Sequence, residues 1–246
     1  MIFVDVARGL VFALYTGVCS VLALFGLLLG PRALAAVARV WGRGALAIAG
    51  VRLVVEGLDA VDGSRAHLLM STHTSHFDTP ALYAALPFPV RFVAKKELTY
   101  LPIFGWVLAL GVAIVIDRKD RAQAIRSIER AKRTVAGGWS VLVFPEGTRT
   151  PEGTIGPFKK GPFHLAVGAR VPILPIAVLG TGAVLPVGGW RIRPGRVVVR
   201  VGPAIQPPAQ GIAEDAQRAQ LAAEVEAAFR ALVPAPVPLD RLDGDA

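Results

Sequence analysis

The chain has 246 residues, of which 53% are hydrophobic and only 18% are charged, whereas an average soluble domain carries about 25% charged residues. This length suits one sizeable domain with or without an anchor, and the shortage of charge indicates contact with a membrane. The net charge of +9 suits an anionic lipid or a phosphorylated small molecule, but without a dense Lys/Arg run, zinc-finger spacing or RNA-recognition signature we predict no nucleic-acid partner.

The N-terminal part of the chain contains two apolar segments. Residues 9–31 carry no charge, and as a helix they would measure about 34 Å, close to the hydrocarbon thickness of a bilayer. Residues 33–50 are Ala-rich, and their Arg39 and Arg43 share one helical face, as in an interfacial helix with basic side chains toward lipid phosphates. Residues 1–50 are therefore predicted to form a membrane-anchoring helical hairpin. A cleaved signal peptide and a buried core helix are the alternatives.

Beyond residue 50 the pattern alternates between strands and helices. Short apolar runs predict strands at residues 51–55, 67–70, 91–94, 113–116, 140–144, 173–178 and 197–201. Longer segments predict helices at residues 79–86, 121–136, 162–167 and 213–232. The alternation indicates an α/β domain over residues 51–233, with a mixed central sheet flanked by helices and functional groups in loops at the strand ends. The Pro-rich and then acidic tail, residues 234–246, is predicted to be flexible.

The first polar cluster is the heptapeptide Thr-His-Thr-Ser-His-Phe-Asp at residues 72–78, in which His73 and Asp78 form a His-x4-Asp pair. A histidine can take a proton near neutral pH, and a carboxylate can fix its tautomer. Five residues turn about 500° on a helix, so the turn must fold back for the pair to meet, with Thr79 expected as helix N-cap. The alternatives are a helix-start Asp78 beside a surface His73, or a metal site that includes His76.

A second cluster places basic residues at the ends of two predicted strands. Lys95 and Lys96 follow one strand and could reach a phosphate, and Asp117 and Arg118 follow the next. A solvated loop, and a simple pairing of Asp117 with a neighbouring cation, explain the same residues.

The third cluster, Phe-Pro-Glu-Gly-Thr-Arg-Thr at residues 144–150, leaves a strand of the buried type. Gly147 allows a tight turn with a positive φ, and Arg149 offers a planar set of donors that matches phosphate oxygens. Glu146 could hold a ligand hydroxyl or orient Arg149, and a purely structural Glu–Arg turn is the alternative. Farther on, the prolines of Val-Pro-Ile-Leu-Pro-Ile at residues 171–176 favour an edge or bent strand.

Four blocks in this order resemble the lysophospholipid acyltransferase family, and within it the bacterial 1-acyl-sn-glycerol-3-phosphate acyltransferases. The blocks are the His-x4-Asp pair at 73–78, the Lys-rich block at 95–105, Phe-Pro-Glu-Gly-Thr-Arg at 144–149 and Val-Pro-Ile-Leu-Pro-Ile at 171–176. The family usually has Asn before the motif histidine, where this chain has Thr72, whose hydroxyl can still form a hydrogen bond.

The resemblance implies transfer of a fatty acyl group from acyl-CoA or acyl carrier protein to the sn-2 hydroxyl of lysophosphatidic acid, giving phosphatidic acid. His73 would act as general base and Asp78 would orient it, with no metal and no cofactor. Ser75 is expected to be structural, and His76 receives no role. The resemblance also implies a set of substrate-binding residues: Lys95, Arg118, Glu146, Gly147, Thr148 and Arg149.

The same resemblance implies a membrane lipid environment. Because more arginine follows the first apolar segment than precedes it, we expect the catalytic domain on the cytoplasmic side of a bacterial inner membrane. Two other functions fit the same residues: an acyltransferase of this family with another acceptor, such as a lyso-ornithine lipid, and a non-catalytic membrane lipid-binding protein.

Overall fold

The computed structural model describes residues 2–117, 120–209 and 211–233. Its strands are β1 Val51–Glu56, β2 Leu68–Ser71, β3 Val90–Lys95, β4 Ile114–Ile116, β5 Ser140–Val143, β6 Ile173–Leu179 and β7 Gly195–Val201. Its helices are α1 Ile2–Leu29, α2 Pro31–Ala49, α3 Asp78–Ala85, α4 Phe104–Val107, α5 Arg121–Ala136, α6 Lys160–Ala169, α7 Thr181–Val184 and α8 Glu214–Leu232. Every strand and helix expected beyond residue 50 is present, within a few residues of its predicted bounds.

The strands form one sheet in the order β1-β7-β6-β2-β5-β3-β4. The five strands β6, β2, β5, β3 and β4 run parallel, while β7 is antiparallel to β6, and β1 runs parallel to β7. The prediction of a mixed α/β sheet is therefore confirmed. The C-terminal ends of the five parallel strands meet at one edge of the sheet, which we call the carboxyl edge, and each predicted polar cluster follows one of these strands.

Helices cover both faces of the sheet. The hairpin of α1 and α2 packs with α3 over one apolar core, and α5, α6 and α8 pack over the other. Gly30, with a φ of 97°, joins the two helices of the hairpin. Gly42 lets α2 approach α3 closely, because a Cβ at this position would lie 2.5 Å from the Pro80 carbonyl oxygen.

The hairpin is held to the α/β domain by polar contacts as well. Arg39 donates from Nη1 to the Pro87 carbonyl at 2.7 Å, and Arg8 donates to the Ile192 carbonyl at 2.9 Å. One donor of Arg39 is thus used by a backbone carbonyl just beyond the end of α3, and the orientation of Arg39 and Arg43 toward lipid phosphates stays a prediction. Arg43 is exposed.

Helix α1 presents a long apolar surface to the outside. Its segment Asp5–Leu29 is long and apolar enough to cross a bilayer, and less than a quarter of its most apolar window is buried inside the structure. On its inner side, Phe12 lies against Phe77 with ring centroids 5.7 Å apart. The helix thus joins an exposed apolar face to the polypeptide that carries the His-x4-Asp pair. The predicted flexible tail, residues 234–246, lies outside the described residues.

Residues 171–176 were expected to form an edge or bent strand, and an edge strand was wrong because β6 lies between β7 and β2. The bent strand stays a prediction. In the antiparallel pairing of β6 with β7, Ile176 lies opposite Val201, the last residue of β7. Pro175, which has no N–H, therefore lies opposite the chain just beyond the end of β7. Its carbonyl still accepts a hydrogen bond from the Gly202 amide at 2.9 Å. A proline is tolerated inside the sheet here because the ladder has no donor to lose at that position.

Candidate active site

The His-x4-Asp pair is formed where β2 ends and α3 begins. The turn folds back as its spacing requires, and His73 Nδ1 lies 2.7 Å from Asp78 Oδ2. The same carboxylate oxygen accepts the backbone amides of Thr74 at 2.8 Å and Ser75 at 3.0 Å. The prediction of Thr79 as N-cap was wrong, because the helix already begins at Asp78, whose side chain turns back into the preceding loop.

The second oxygen of Asp78 contacts a residue that the sequence did not point to. The Thr181 hydroxyl, at the start of α7, donates to Asp78 Oδ1, and Thr181 Oγ1 lies 2.8 Å from Thr74 Oγ1. Asp78 and Thr181 are both 0% exposed. Donors to both oxygens offset the cost of burying this carboxyl group.

The imidazole of His73 is fixed on a second side by Phe144. The two rings are stacked, with centroids 3.8 Å apart and planes 13° apart. The Thr150 amide also donates to the His73 carbonyl at 2.8 Å, which ties the loop after β5 to the turn after β2. With Nδ1 bonded to Asp78, the free ring nitrogen of His73 is Nε2, which has no partner among the described residues. The side chain is 17% exposed, so a substrate can reach this nitrogen.

The loop after β5 turns as the sequence predicted, with a φ of 74° at Gly147. Glu146 is buried, and its Oε2 accepts the Gly156 amide at 3.0 Å, so it closes the loop rather than orienting Arg149. Its Oε1 is also buried and has no partner among the described residues. Farther along the loop, the Glu152 carboxylate accepts the Gly180 amide next to Thr181.

Arg149 lies on the histidine side of this loop. The guanidinium is partly exposed, and no described carboxylate lies within ion-pair distance of it. Although His76 keeps an exposed surface, desolvation of its ring lowers its pKa, and the positive charge of Arg149 lowers this pKa further. The charge of Arg149 is therefore felt at His76, in the same turn as His73.

The lysines at the end of β3 lie at the same edge of the sheet but form ion pairs of their own. Lys95 Nζ lies 3.1 Å from Glu97, and Lys96 Nζ lies 3.0 Å from Asp117. In the sheet order β2-β5-β3, the end of β3 is about 10 Å from the end of β2, so Lys95 joins a site at His73 only from its margin. Thr148 is exposed, and Arg118 lies outside the described residues.

Comparisons with known proteins show the family to which this chain belongs. Residues 52–179, more than half of the chain, match the family model described as Acyltransferase. The chain belongs to the acyltransferase family. A Pseudomonas aeruginosa 1-acyl-sn-glycerol-3-phosphate acyltransferase is 39% identical over 178 residues, which cover 70% of this chain and 68% of the relative. A Chlamydomonas reinhardtii protein of the same description is 36% identical over 56% of this chain, which spans only 42% of that relative.

A solved structure has the same fold. The crystal structure of the 1-acyl-sn-glycerophosphate (LPA) acyltransferase PlsC from Thermotoga maritima matches with a TM-score of 0.73 and 26% sequence identity. The match covers 93% of this chain and 96% of that one, so it includes the N-terminal hairpin as well as the sheet.

In this acyltransferase, Thr72 occupies the position where the family usually has Asn, and its hydroxyl has a structural role. Thr72 is buried, and its Oγ1 accepts the Val178 amide at 3.0 Å. This bond continues the pairing of β2 with β6 past the last backbone partner. The residue before His73 is thereby fixed to the strand that leads to Thr181.

Ser75 and His76, the two other polar side chains of the heptapeptide, differ in their hydrogen bonding. Ser75 donates from its hydroxyl to the Leu185 carbonyl at 2.8 Å and accepts the Phe77 amide at 3.2 Å, so this hydroxyl holds the turn together. His76 makes no hydrogen bond within the described part of the chain. That part also contains no group of three or more His, Cys, Asp and Glu side chains arranged to hold a metal ion.

Proposed function

We propose that this acyltransferase transfers a fatty acyl group from a thioester to the sn-2 hydroxyl of 1-acyl-glycerol-3-phosphate and so forms phosphatidic acid. The observation that carries the proposal is the buried Asp78 bonded to His73 Nδ1 at 2.7 Å, with Nε2 accessible and Arg149 close by. The relatives named as 1-acyl-sn-glycerol-3-phosphate acyltransferases support the choice of acceptor.

In the proposed reaction, His73 Nε2 takes the proton of the acceptor hydroxyl while the oxygen attacks the thioester carbonyl carbon. Asp78 holds the ring in the required tautomer and stabilises the imidazolium that forms. Collapse of the tetrahedral intermediate breaks the C–S bond, and the proton passes from Nε2 to the departing thiolate. An ester and a thiol are released, and His73 returns to its neutral form.

The acceptor phosphate would be held by Arg149, with Lys95 and Arg118 at the margin of the site. A guanidinium presents two parallel donors to phosphate oxygens, and Arg149 has no competing carboxylate among the described residues. Glu146, Gly147 and Thr148 would shape this pocket. The buried and unpartnered Glu146 Oε1 can accept a hydrogen bond from a substrate hydroxyl.

The donor in this proposal is acyl-CoA or acyl carrier protein, and no metal or other cofactor takes part because a thioester is already activated. The hairpin of residues 1–50 would anchor the acyltransferase domain, residues 51–233, at the cytoplasmic face of a bacterial inner membrane, with residues 234–246 as a tail. The exposed apolar face of α1 and the arginines that follow it support this placement.

The test is an acyl-transfer assay of the purified protein with lysophosphatidic acid and each donor type. We expect His73→Ala to reduce kcat/KM by about 10³-fold, since a general base contributes about 10² to 10⁴. We expect Arg149→Ala to raise the KM for lysophosphatidic acid about tenfold and to change kcat less. His164→Ala and Lys159→Ala are the matched controls, because they remove an exposed imidazole and an exposed cation that have no part in the proposed base or phosphate site.

Each result has a definite reading. Normal turnover in His73→Ala would contradict the mechanism. Turnover of a phosphate-free lysolipid that is indifferent to Arg149→Ala would replace the acceptor with one such as a lyso-ornithine lipid. Lipid binding with no turnover of any acceptor by the intact protein would favour a non-catalytic lipid-binding protein.

A further inference from the structure

The connection between β3 and β4 exposes a cluster of large apolar side chains. Five of them lie within eleven residues, with exposed fractions from 41% to 69%. We call them the 100–110 patch: Tyr100, Leu101, Ile103, Trp106 and Leu110. The opposite side of the same segment packs into the core through Val107 and Leu108, so the segment is apolar on both its inner and its outer side. A helix that is apolar all round is typical of an element that contacts lipid or another protein surface.

The backbone holds the patch outward by a fixed and strained turn. Ile103 has φ 62° and ψ −64°, and the Phe104 amide donates to the Pro102 carbonyl at 2.7 Å, which defines a γ-turn with a positive φ. This turn is rare and costly, above all at a β-branched residue. Gly105 follows closely, because a Cβ there would lie 2.5 Å from the Leu98 and Thr99 carbonyl oxygens. The exposure of the patch is thus built into the local fold.

The sequence of this segment contains no charge over residues 98–116. The nearest charged residues lie on either side of it, with Lys95, Lys96 and Glu97 before it and Asp117 after it. An exposed connection in water normally carries polar residues, so an uncharged segment of this length indicates an apolar environment outside the protein. Pro102 and Gly111 break the segment, which excludes one continuous membrane-spanning helix.

The patch adjoins the exposed face of α1. Val107 packs in one cluster with Ala23, Leu24 and Leu27 of α1, so α4 lies along the C-terminal half of that helix. On the same half of α1, Phe25 is exposed. The 100–110 patch and the outer face of α1 are therefore neighbouring parts of one apolar surface.

We propose that the 100–110 patch is a second membrane-contacting element, which places Trp106 and Leu110 in lipid beside α1. The inference rests on the membrane placement in the proposed function, and its ligand is a lipid bilayer rather than a second protein because the patch continues the face of the candidate membrane helix. Tyr100, with an apolar ring and a polar hydroxyl, suits the boundary between lipid and water.

A second contact would fix the orientation of the active site. A protein attached to a membrane only through α1 can rotate about the axis of that helix. A second contact beside the helix prevents this rotation, because the helix axis and the second contact together define a plane. The connection between β3 and β4 begins at Lys96, directly after β3 ends at the carboxyl edge of the sheet. Contact of the 100–110 patch with lipid would therefore set the height of that edge above the membrane. The carboxyl edge carries His73 and Arg149, which act on a lipid acceptor in the proposed function.

The first test reports position with a polarity-sensitive fluorophore on single cysteines. Cys19 is the one cysteine of the chain and is buried, so Cys19→Ser provides the background for Trp106→Cys and Leu110→Cys. Leu14→Cys on the exposed face of α1 is the reference for lipid contact, and Ala227→Cys on the exposed side of α8 is the reference for water. Vesicles contain phosphatidylethanolamine and phosphatidylglycerol, with or without brominated acyl chains.

We expect the labels at 106 and 110 to shift to the blue with vesicles and to be quenched by brominated chains, as the label at 14 is, while the label at 227 stays in water. A label at 106 that remains in water while the label at 14 enters lipid would overturn the proposal. A blue shift at 106 that needs no vesicles and grows with protein concentration would assign the patch to a second copy of the chain instead.

A second test measures binding to the same vesicles by co-sedimentation. The double variant Trp106→Glu and Leu110→Glu should bind about tenfold more weakly, because two apolar side chains would leave lipid. Ile125→Glu with Ile212→Glu adds the same charge at exposed apolar residues and should bind normally. Equal binding of both double variants would contradict the proposal. The measurement needs no turnover, and His73→Ala should bind vesicles as the unaltered protein does, so failure of the proposed reaction and failure of this contact are separate outcomes.

Discussion

Two regions of the molecule place side chains in an environment that disfavours them. These regions are the buried surroundings of Asp78 and the exposed outer face of the hairpin. Asp78 is a carboxyl group with no contact with water, and α1 with the 100–110 patch is an apolar surface with no cover. At Asp78 the structure itself supplies the compensation, through His73, two backbone amides and Thr181. At the outer face nothing within the described chain covers the apolar side chains.

This difference separates catalysis from location. A buried carboxylate whose oxygens all have hydrogen-bond donors needs no further partner. The arrangement of Asp78 and His73 is therefore preorganised before any ligand binds. An uncovered apolar surface is complete only with an external partner, so it depends on the environment. Loss of a donor around Asp78 should therefore change the chemical step, whereas loss of an apolar side chain at 106 or 110 should change membrane binding.

Substitution of Asp78 should give the largest effect. Asp78→Asn keeps the volume but cannot accept from His73 Nδ1, Thr74 and Ser75 as the carboxylate does. We expect kcat/KM to fall by about 10³- to 10⁴-fold, since loss of the orienting carboxylate leaves the imidazole in the wrong tautomer. Steady-state kinetics measure this effect, with Asp62→Asn, an exposed acid bonded to Ser64, as control. An active Asp78→Asn enzyme would show that the buried pair is only structural.

Loss of the Thr181 hydroxyl should give an intermediate effect. Thr181→Val keeps the shape but leaves Asp78 Oδ1 and Thr74 Oγ1 without this partner. We expect kcat to fall about tenfold with little change in KM, because Thr181 acts on Asp78 and not on substrate, and one such buried hydrogen bond is worth about 1–2 kcal/mol.

Thr181→Ser separates positioning from packing. Serine keeps the hydroxyl, so this variant should recover most of the lost kcat, although it removes a methyl group from a buried position. Equal losses in the Val and Ser variants would show that Thr181 contributes through packing alone.

The sequence predicted the strands and helices because their signals are local. Helix α5 matches its predicted bounds, and Asp120 caps it by accepting the Gln123 amide at 2.9 Å, which is a local bond between neighbours in the chain. For Asp78 and His73 the spacing showed that a helix could not bring them together and that the turn would have to fold back, but it left open whether they meet. Local patterns of this kind need no knowledge of the sheet order.

The contacts that the sequence did not give are long-range. Thr181 and Asp78 are 103 residues apart, and they meet because β6 lies beside β2 in the sheet. The same order brings Phe144, which follows β5, onto the ring of His73. The prediction of an edge strand from Pro175 failed because the register between β6 and β7 decides whether a backbone N–H is needed at that position. The identity of the residue alone does not decide it. Strand order and register depend on the packing of the whole domain.

The smallest expected effect tests whether Arg149 acts on the histidine side of the site. Because the charge of Arg149 helps to lower the pKa of His76, Arg149→Ala should raise that pKa toward its ordinary value. The change should be the smaller part of the lowering, since desolvation is the larger cause. Two-dimensional NMR of the imidazole resonances during a pH titration measures it. His164 on α6, whose pKa is lowered by burial and by Arg218, should not change.

Arg149→Lys should keep the pKa of His76 lowered, because it keeps the positive charge while removing the planar set of donors. It should nevertheless weaken binding of lysophosphatidic acid, since an ammonium cannot form the two parallel bonds of a guanidinium. A phosphate bound at Arg149 should raise the pKa of His76 in the intact enzyme, because its negative charge opposes that of the guanidinium. If the pKa of His76 responds neither to Arg149→Ala nor to bound phosphate, Arg149 does not share a site with the histidines, and the proposed phosphate contact must lie elsewhere on the carboxyl edge.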